Sequence, residues 1–236
     1  MNELTENRWK ILRLLIDILA GLALFAAAVL IAVRWVSFDS SFYAAEFIKF
    51  DRSAYTGISQ EELTKVVNAL LEYLSGKAAS PQITVIIHGT PASMYKEREL
   101  LHLADVAHLY ALSKSVIGAG ALAFGCCLLL RTFLSPRRSQ KLASLLVGIK
   151  NAGIVAMLVL ASFAMASRAD FNRLFTLFHL TVFSNDLWLL NESEHNLIKM
   201  FPEAFFYDAA ARAGKACAAA FALLILVPSL PAWRNE

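Results

Sequence analysis

Residues 171–207 read FNRLFTLFHLTVFSNDLWLLNESEHNLIKMFPEAFFY, and this stretch lies between two strongly apolar segments rather than inside one. It carries seven phenylalanines and a tryptophan, interrupted by Asn185, Asp186, Glu192 and Glu194. Those polar groups make it too costly to bury in hydrocarbon, and its rings make it too apolar for an ordinary exposed loop. The combination suits a membrane–water boundary, where an aromatic side chain keeps its body in lipid and its polar edge in water.

The remainder of the chain agrees with a membrane setting. Of the 236 residues 58% are hydrophobic, against about 45–50% in soluble domains, and the mean hydropathy is +0.54. An apolar run from Leu14 to Val33, broken only by Asp17, follows Arg8, Lys10 and Arg13. It exceeds the roughly 7–15 apolar residues of a signal-peptide core, so it reads as a retained span. Asp17 stands one helical turn from Arg13 and is expected to pair with it. Three further runs approach the ~20 residues that cross a bilayer. The predicted spans are residues 14–35, 114–134, 142–166 and 214–233.

Charge assigns the sides. The N-terminus (residues 1–13) and the loop 135–141, with Arg137, Arg138 and Lys141, are basic and belong in the cytoplasm by the positive-inside rule, together with the tail 234–236. Segments 36–113 and 167–213 then share the outer face, and the first holds nine Asp or Glu against six Lys or Arg. The expected fold is an all-α polytopic membrane protein with four transmembrane helices and a small extracytoplasmic α/β cap. Within the cap, Ser59-Gln-Glu-Glu62 reads as a capping box, followed by Leu63, Val66, Val67, Leu70, Leu71 and Leu74 at helical spacing and stopped by Gly76. Pro81–Ile87 reads as a strand. The segment from Glu97 runs without glycine or proline into the second span, so Glu99, His102 and Asp105 follow at three-residue steps on one broad helix face.

The net charge of +3 shows no basic patch for nucleic acid. Cys126, Cys127 and Cys217 lie in apolar segments and read as packing residues. All five histidines fall on the outer face. His88, His108 and His195 have no chemical context, whereas His102 is flanked by two carboxylates and His179 stands in the aromatic run just before the Asn185–Asp186 pair. A carboxylate raises the basicity of an imidazole and aromatic burial lowers it, and these opposed effects suit acid–base work near neutral pH. Phe171, Phe175 and Phe178 repeat at helical spacing, and Pro202 fixes a turn that presents Glu203.

Together the motifs FHLTVFSNDLWLLNESEHNLIKMFPEAFF and ERELLHLADV, in a four-span layout, resemble the bacterial lipoprotein intramolecular transacylase family. The resemblance implies two catalytic histidines at His102 and His179, and an Asn-Asp-Leu-Trp element at Asn185, Asp186 and Trp188. Where the family often has an Asp-Pro turn after that element, this chain has Asn191-Glu192. It implies transfer of the sn-2 acyl chain of a diacylglyceryl-modified N-terminal cysteine to that cysteine's α-amino group, giving a lyso-form lipoprotein. The partners are then a diacylated lipoprotein substrate and membrane lipid.

Such an ester-to-amide shift needs no cofactor, metal or enzyme nucleophile, because both reacting groups share one substrate. It needs a base and a proton donor. With Glu99 and Asp105 beside it, His102 is expected to be the base and His179 the donor. Phe175, Phe178, Phe183, Trp188 and Phe206 are expected to wall a pocket that excludes water, with Glu99, Asp105, Asn185, Asp186 and Glu203 as its polar lining. Two other readings are a metal-dependent membrane hydrolase using His102, His179, Asp105 or Asp186, and a non-enzymatic membrane module that binds a partner through its cap.

Overall fold

The computed structural model describes residues 3–135 and 140–229. Arg137, Arg138, the predicted end of the fourth span at Trp233 and the tail 234–236 lie outside the described residues. The elements in chain order are α1 (Glu3–Ser37), α2 (Ser40–Lys49), α3 (Arg52–Thr56), α4 (Gln60–Ser75), β1 (Thr84–Ile87), β2 (Thr90–Ser93), α5 (Glu97–Phe133), α6 (Lys141–Ala169), α7 (Phe171–Val182), α8 (Asn196–Met200) and α9 (Glu203–Leu226). A 3₁₀ turn at Val227–Ser229 follows α9. Four helices, α1, α5, α6 and α9 with its 3₁₀ extension, are long and apolar enough to cross a membrane. These are the four spans expected from the sequence.

The chain divides into two compact units. One comprises Met1–Ala32, Ser115–Met165 and Ala213–Glu236. Small residues let its helices approach closely, as they must where lipid offers no hydrophobic drive for helix association. A Cβ on Gly21 of α1 would lie 2.5 Å from the Val155 Cβ of α6, and one on Gly120 of α5 would meet the Ala23 carbonyl of α1 at 3.1 Å. Gly153 of α6 packs in the same way against Leu224 and Ile225 of α9.

Asp17 does not pair with Arg13. Its carboxylate accepts from Asn151 Nδ2 of α6 at 2.7 Å and meets Arg131 Nη1 of α5 at 3.2 Å, while Arg13 donates to the Leu134 carbonyl at 2.8 Å. The reason is burial. Asp17 and Arg131 are 4% and 7% exposed, and an ion that has lost its water needs a close charge and further donors, which a single pair along one helix does not supply. Arg131 is therefore a buried cross-helix partner.

The second unit comprises Val33–Lys114 and Ala166–Arg212. Its core is aromatic. Phe42, Tyr43 and Phe47 of α2 pack on Phe201 and Phe205 with ring centroids 5.3–5.8 Å apart. Asp39 starts α2 by accepting from the Ser41 amide, and this helix is absent from the sequence reading. In α4 the expected stripe is buried at Leu63, Val66, Val67, Leu70 and Leu74 and half-buried at Leu71, and Gly76 closes the helix at φ +83°. Ser59 accepts from the Glu62 amide, but the Glu62 carboxylate turns to Lys65 and the Ile86 amide, so only half of the capping box forms.

Of the segment Pro81–Ile87 read as a strand, Thr84–Ile87 forms one, paired antiparallel with Thr90–Ser93 so that Ile87 faces Thr90. The two-residue turn His88-Gly89 has both φ values positive, +49° and +80°. That is the backbone of a type I′ hairpin, and it accounts for His88 as a turn residue.

Candidate active site

Two helices bring the site together. α5 carries His102 and α7 carries His179, and the imidazoles are 8% and 7% exposed. Their ring centroids lie 6.3 Å apart. Phe183, at the C-terminal cap of α7, touches both rings at 5.3 and 5.6 Å. Trp188 stacks on His179 at 4.8 Å, Phe175 lies against it at 4.3 Å and Phe178 meets it edge-on at 5.3 Å. Phe206 of α9 backs Phe175 at 5.2 Å. The rings read as pocket walls thus surround the histidines, while Phe201 and Phe205 of the same stretch belong to the core.

His179 Nδ1 lies 2.7 Å from the Phe175 carbonyl one turn back. A carbonyl only accepts, so Nδ1 carries the proton and the neutral ring keeps its lone pair on Nε2. Burial pushes the His179 pKa below the ordinary imidazole value, and the bond to Phe175 opposes that more weakly. The Nδ1 of His102 is buried and has no hydrogen-bond partner among the described residues.

Glu99 does not serve His102. Its side chain is fully buried and accepts from the Lys96 amide at 2.7 Å and the Leu197 amide at 2.6 Å. Lys96 immediately precedes α5 and Leu197 lies in the first turn of α8, so one carboxylate satisfies orphan amides at two helix starts. The expectation that Glu99 lines a substrate pocket and supports His102 as base is corrected accordingly. Three-residue spacing placed Glu99 near His102 on the helix, but an exit to unpaired backbone amides lay closer to the carboxylate.

Asp105 accepts from Asn185 Nδ2 at 2.9 Å, and Asn185 Oδ1 accepts from the Leu187 amide at 3.1 Å. Arg98 donates to the Asp186 carbonyl and lies 3.3 Å from its carboxylate. Two residues of α5, on either side of His102, therefore hold the 183–188 loop that delivers Trp188 to His179. Sequence reasoning missed Arg98, although its position one turn before His102 was a usable signal. Glu203 stands apart from the histidines, accepting from Asn172 at 2.6 Å where α7 and α9 begin. His195 is buried, with its ring on the backbone of Asn191. Among the described residues no group of three His, Cys, Asp or Glu side chains converges as metal ligands.

Four helices long and apolar enough to cross a membrane define a polytopic membrane protein, and a buried imidazole pair under aromatic cover is its candidate site. The family model of the lipoprotein intramolecular transacylase Lit matches residues 18–206, and the chain belongs to that family. It is therefore an acyltransferase that moves an acyl chain within a lipoprotein molecule, and a multi-pass membrane protein. Among solved structures, the transacylase Lit of Bacillus cereus is 18% identical and superposes with a TM-score of 0.71 over 92% of this chain and 94% of that one. A histidine-to-alanine variant of the same protein gives 17% and 0.70, over 95% and 96%. At that identity the likeness speaks for the fold. Comparison with curated protein sequences gives no match.

Proposed function

We propose that the transfer runs from the sn-2 ester of the diacylglyceryl group to the α-amino group of the substrate's N-terminal cysteine, with His179 as base and His102 as hydrogen-bond donor to the oxyanion. The observation that carries this division is the His179 Nδ1–Phe175 contact at 2.7 Å. It leaves Nε2 as the acceptor and reverses the roles expected from the sequence.

The free amine attacks the ester carbonyl carbon, and its N–H proton passes to His179 Nε2. His102 hydrogen-bonds the developing oxyanion, and the imidazolium formed at His179 protonates the glyceryl oxygen as the C–O bond breaks. Both imidazoles are then neutral again, as at the start. One ester and one amine become one amide and one hydroxyl, and no water enters the balance. The rings of Phe175, Phe178, Phe183 and Trp188 keep water from the ester. Holding amine and ester together supplies the proximity term, worth up to about 7–11 kcal/mol in the most favourable intramolecular cases.

In this reading the site faces the outer side and both termini the cytoplasm. Arg8, Lys10 and Arg13 before the first span favour it. Arg212, a cation on the outer side at the fourth span, is neutralised by Asp39 at 2.7 Å and stacks over Trp35.

The test is co-expression with a diacylated lipoprotein and mapping of acyl positions by mass spectrometry. Wild type converts the substrate to the lyso form, and His102→Ala and His179→Ala each lose at least a hundredfold in rate. A wild-type product with a free α-amino group refutes the reaction. Loss confined to one variant refutes the two-histidine mechanism. Activity abolished by a chelator and restored by a metal would favour the hydrolase-type chemistry instead.

A further inference from the structure

A cleft of about 560 Å³ opens beyond Phe175, within the 300–1,000 Å³ range of ligand pockets, and its apolar wall is Phe50, Phe171, Ala204 and Tyr207. Its polar rim is Lys49, Glu203 and Asp208. Each rim group is already paired within the protein, Lys49 with Asp208 and Glu203 with Asn172. What remains for a ligand is hydrocarbon. A peptide laid there would leave its own amides and carbonyls without partners, at a cost an alkyl chain does not incur.

The cleft continues the wall of the histidine site. From His179 the rings follow one another through Phe175 at 4.3 Å, Phe171 at 6.1 Å and Tyr207 at 5.3 Å. Phe171 and His179 are eight residues apart on α7, about 12 Å along the axis. We propose that this cleft receives the distal part of the acyl chain being transferred, with Ala204 and Tyr207 setting the chain length accepted. The proposal rests on the transacylase reading above. A chain whose carbonyl sits at the imidazoles would pass Phe175 and enter the cleft only if it is long.

The experiment uses the full-length protein in liposomes with synthetic diacylated lipopeptides bearing palmitoyl or octanoyl at sn-2. Ala204→Phe, which fills the cleft at an exposed position, is expected to lower the palmitoyl-to-octanoyl rate ratio at least tenfold. An unchanged ratio overturns the proposal. A second measurement on wild type uses an sn-2 chain ending in a diazirine, with label expected on Phe50, Phe171, Ala204 or Tyr207. Label only at residues outside the cleft overturns it even if Ala204→Phe fails to fold. Transfer by wild type with label elsewhere refutes the cleft alone, whereas no transfer of either chain refutes the transacylase reading itself.

Discussion

His179 donates its Nδ1 proton to the carbonyl of Phe175, one turn earlier on the same helix, at 2.7 Å. A bond between a ring and the backbone of its own helix holds the tautomer without any second side chain. The functional nitrogen is then set by α7 alone, and Trp188 and Phe175 are left to fix the ring plane.

A lowered pKa follows for His179. Burial depresses it below the ordinary imidazole value of about 6.5, so the ring stays neutral as pH falls through 6.5 and is protonated only below that. Imidazole proton NMR of the histidine-labelled protein, with His179→Gln to assign the resonance, should show its titration midpoint below 6.5. Trp188→Ala, which admits water to the ring, should move the midpoint upward. A midpoint at or above 6.5 in wild type contradicts the assignment.

Asp105 and Asn185 should act as one unit. Each single alanine replacement frees the 183–188 loop, so the second costs little once the first is made. A double-mutant cycle on kcat/KM should give a coupling of roughly 0.5–3 kcal/mol. Additive losses would mean that the 2.9 Å bond does not position the loop.

Glu99→Ala removes two charge-assisted bonds to backbone amides and leaves those amides buried. The cost should be about 3–6 kcal/mol, since bonds to charged groups contribute roughly 1.5–3 each. Glu99→Gln keeps one acceptor and should lose about half as much. Thermal unfolding in detergent should rank wild type above Glu99→Gln above Glu99→Ala. Equal midpoints for all three would remove Glu99 from the scaffold.

The Asp17–Arg131 pair gives an asymmetric expectation. Asp17→Leu alone strands a buried guanidinium and should cost about 3–5 kcal/mol, whereas Asp17→Leu with Arg131→Met should recover most of it. Unfolding by denaturant in micelles measures both. A double variant as weak as the single one would show that the pair contributes more than the avoidance of a lone charge.

What the sequence revealed divides along physical lines. The four long helices were legible because crossing a bilayer demands one unbroken apolar run, and α4 was legible because Ser59 and Gly76 mark its ends. α2 was not, since SSFYAAEFIK is short and its apolar face is defined by α4 and by Phe201 and Phe205, the last two far away in sequence. α9 begins at Glu203, ahead of the apolar run read as the fourth span, since its first turns are aromatic and charged rather than uniformly apolar. His102 and His179 stood out through their neighbours. The neighbours themselves were partly misread: Glu99 holds backbone amides, Asp105 is bonded to the loop while its charge still acts on His102, and Arg98 was passed over because the loop it holds lies 88 residues away in sequence.

Glu99 also bears on how such a protein drifts. Its partners are the main-chain amides of residues 96 and 197, present whichever side chains occupy those positions, provided neither is proline. Lys96 and Leu197 can change without loosening the joint, so no paired substitutions would betray it. A restraint at the His102 helix can thus persist while leaving no trace of covariation, visible only where backbone and carboxylate meet.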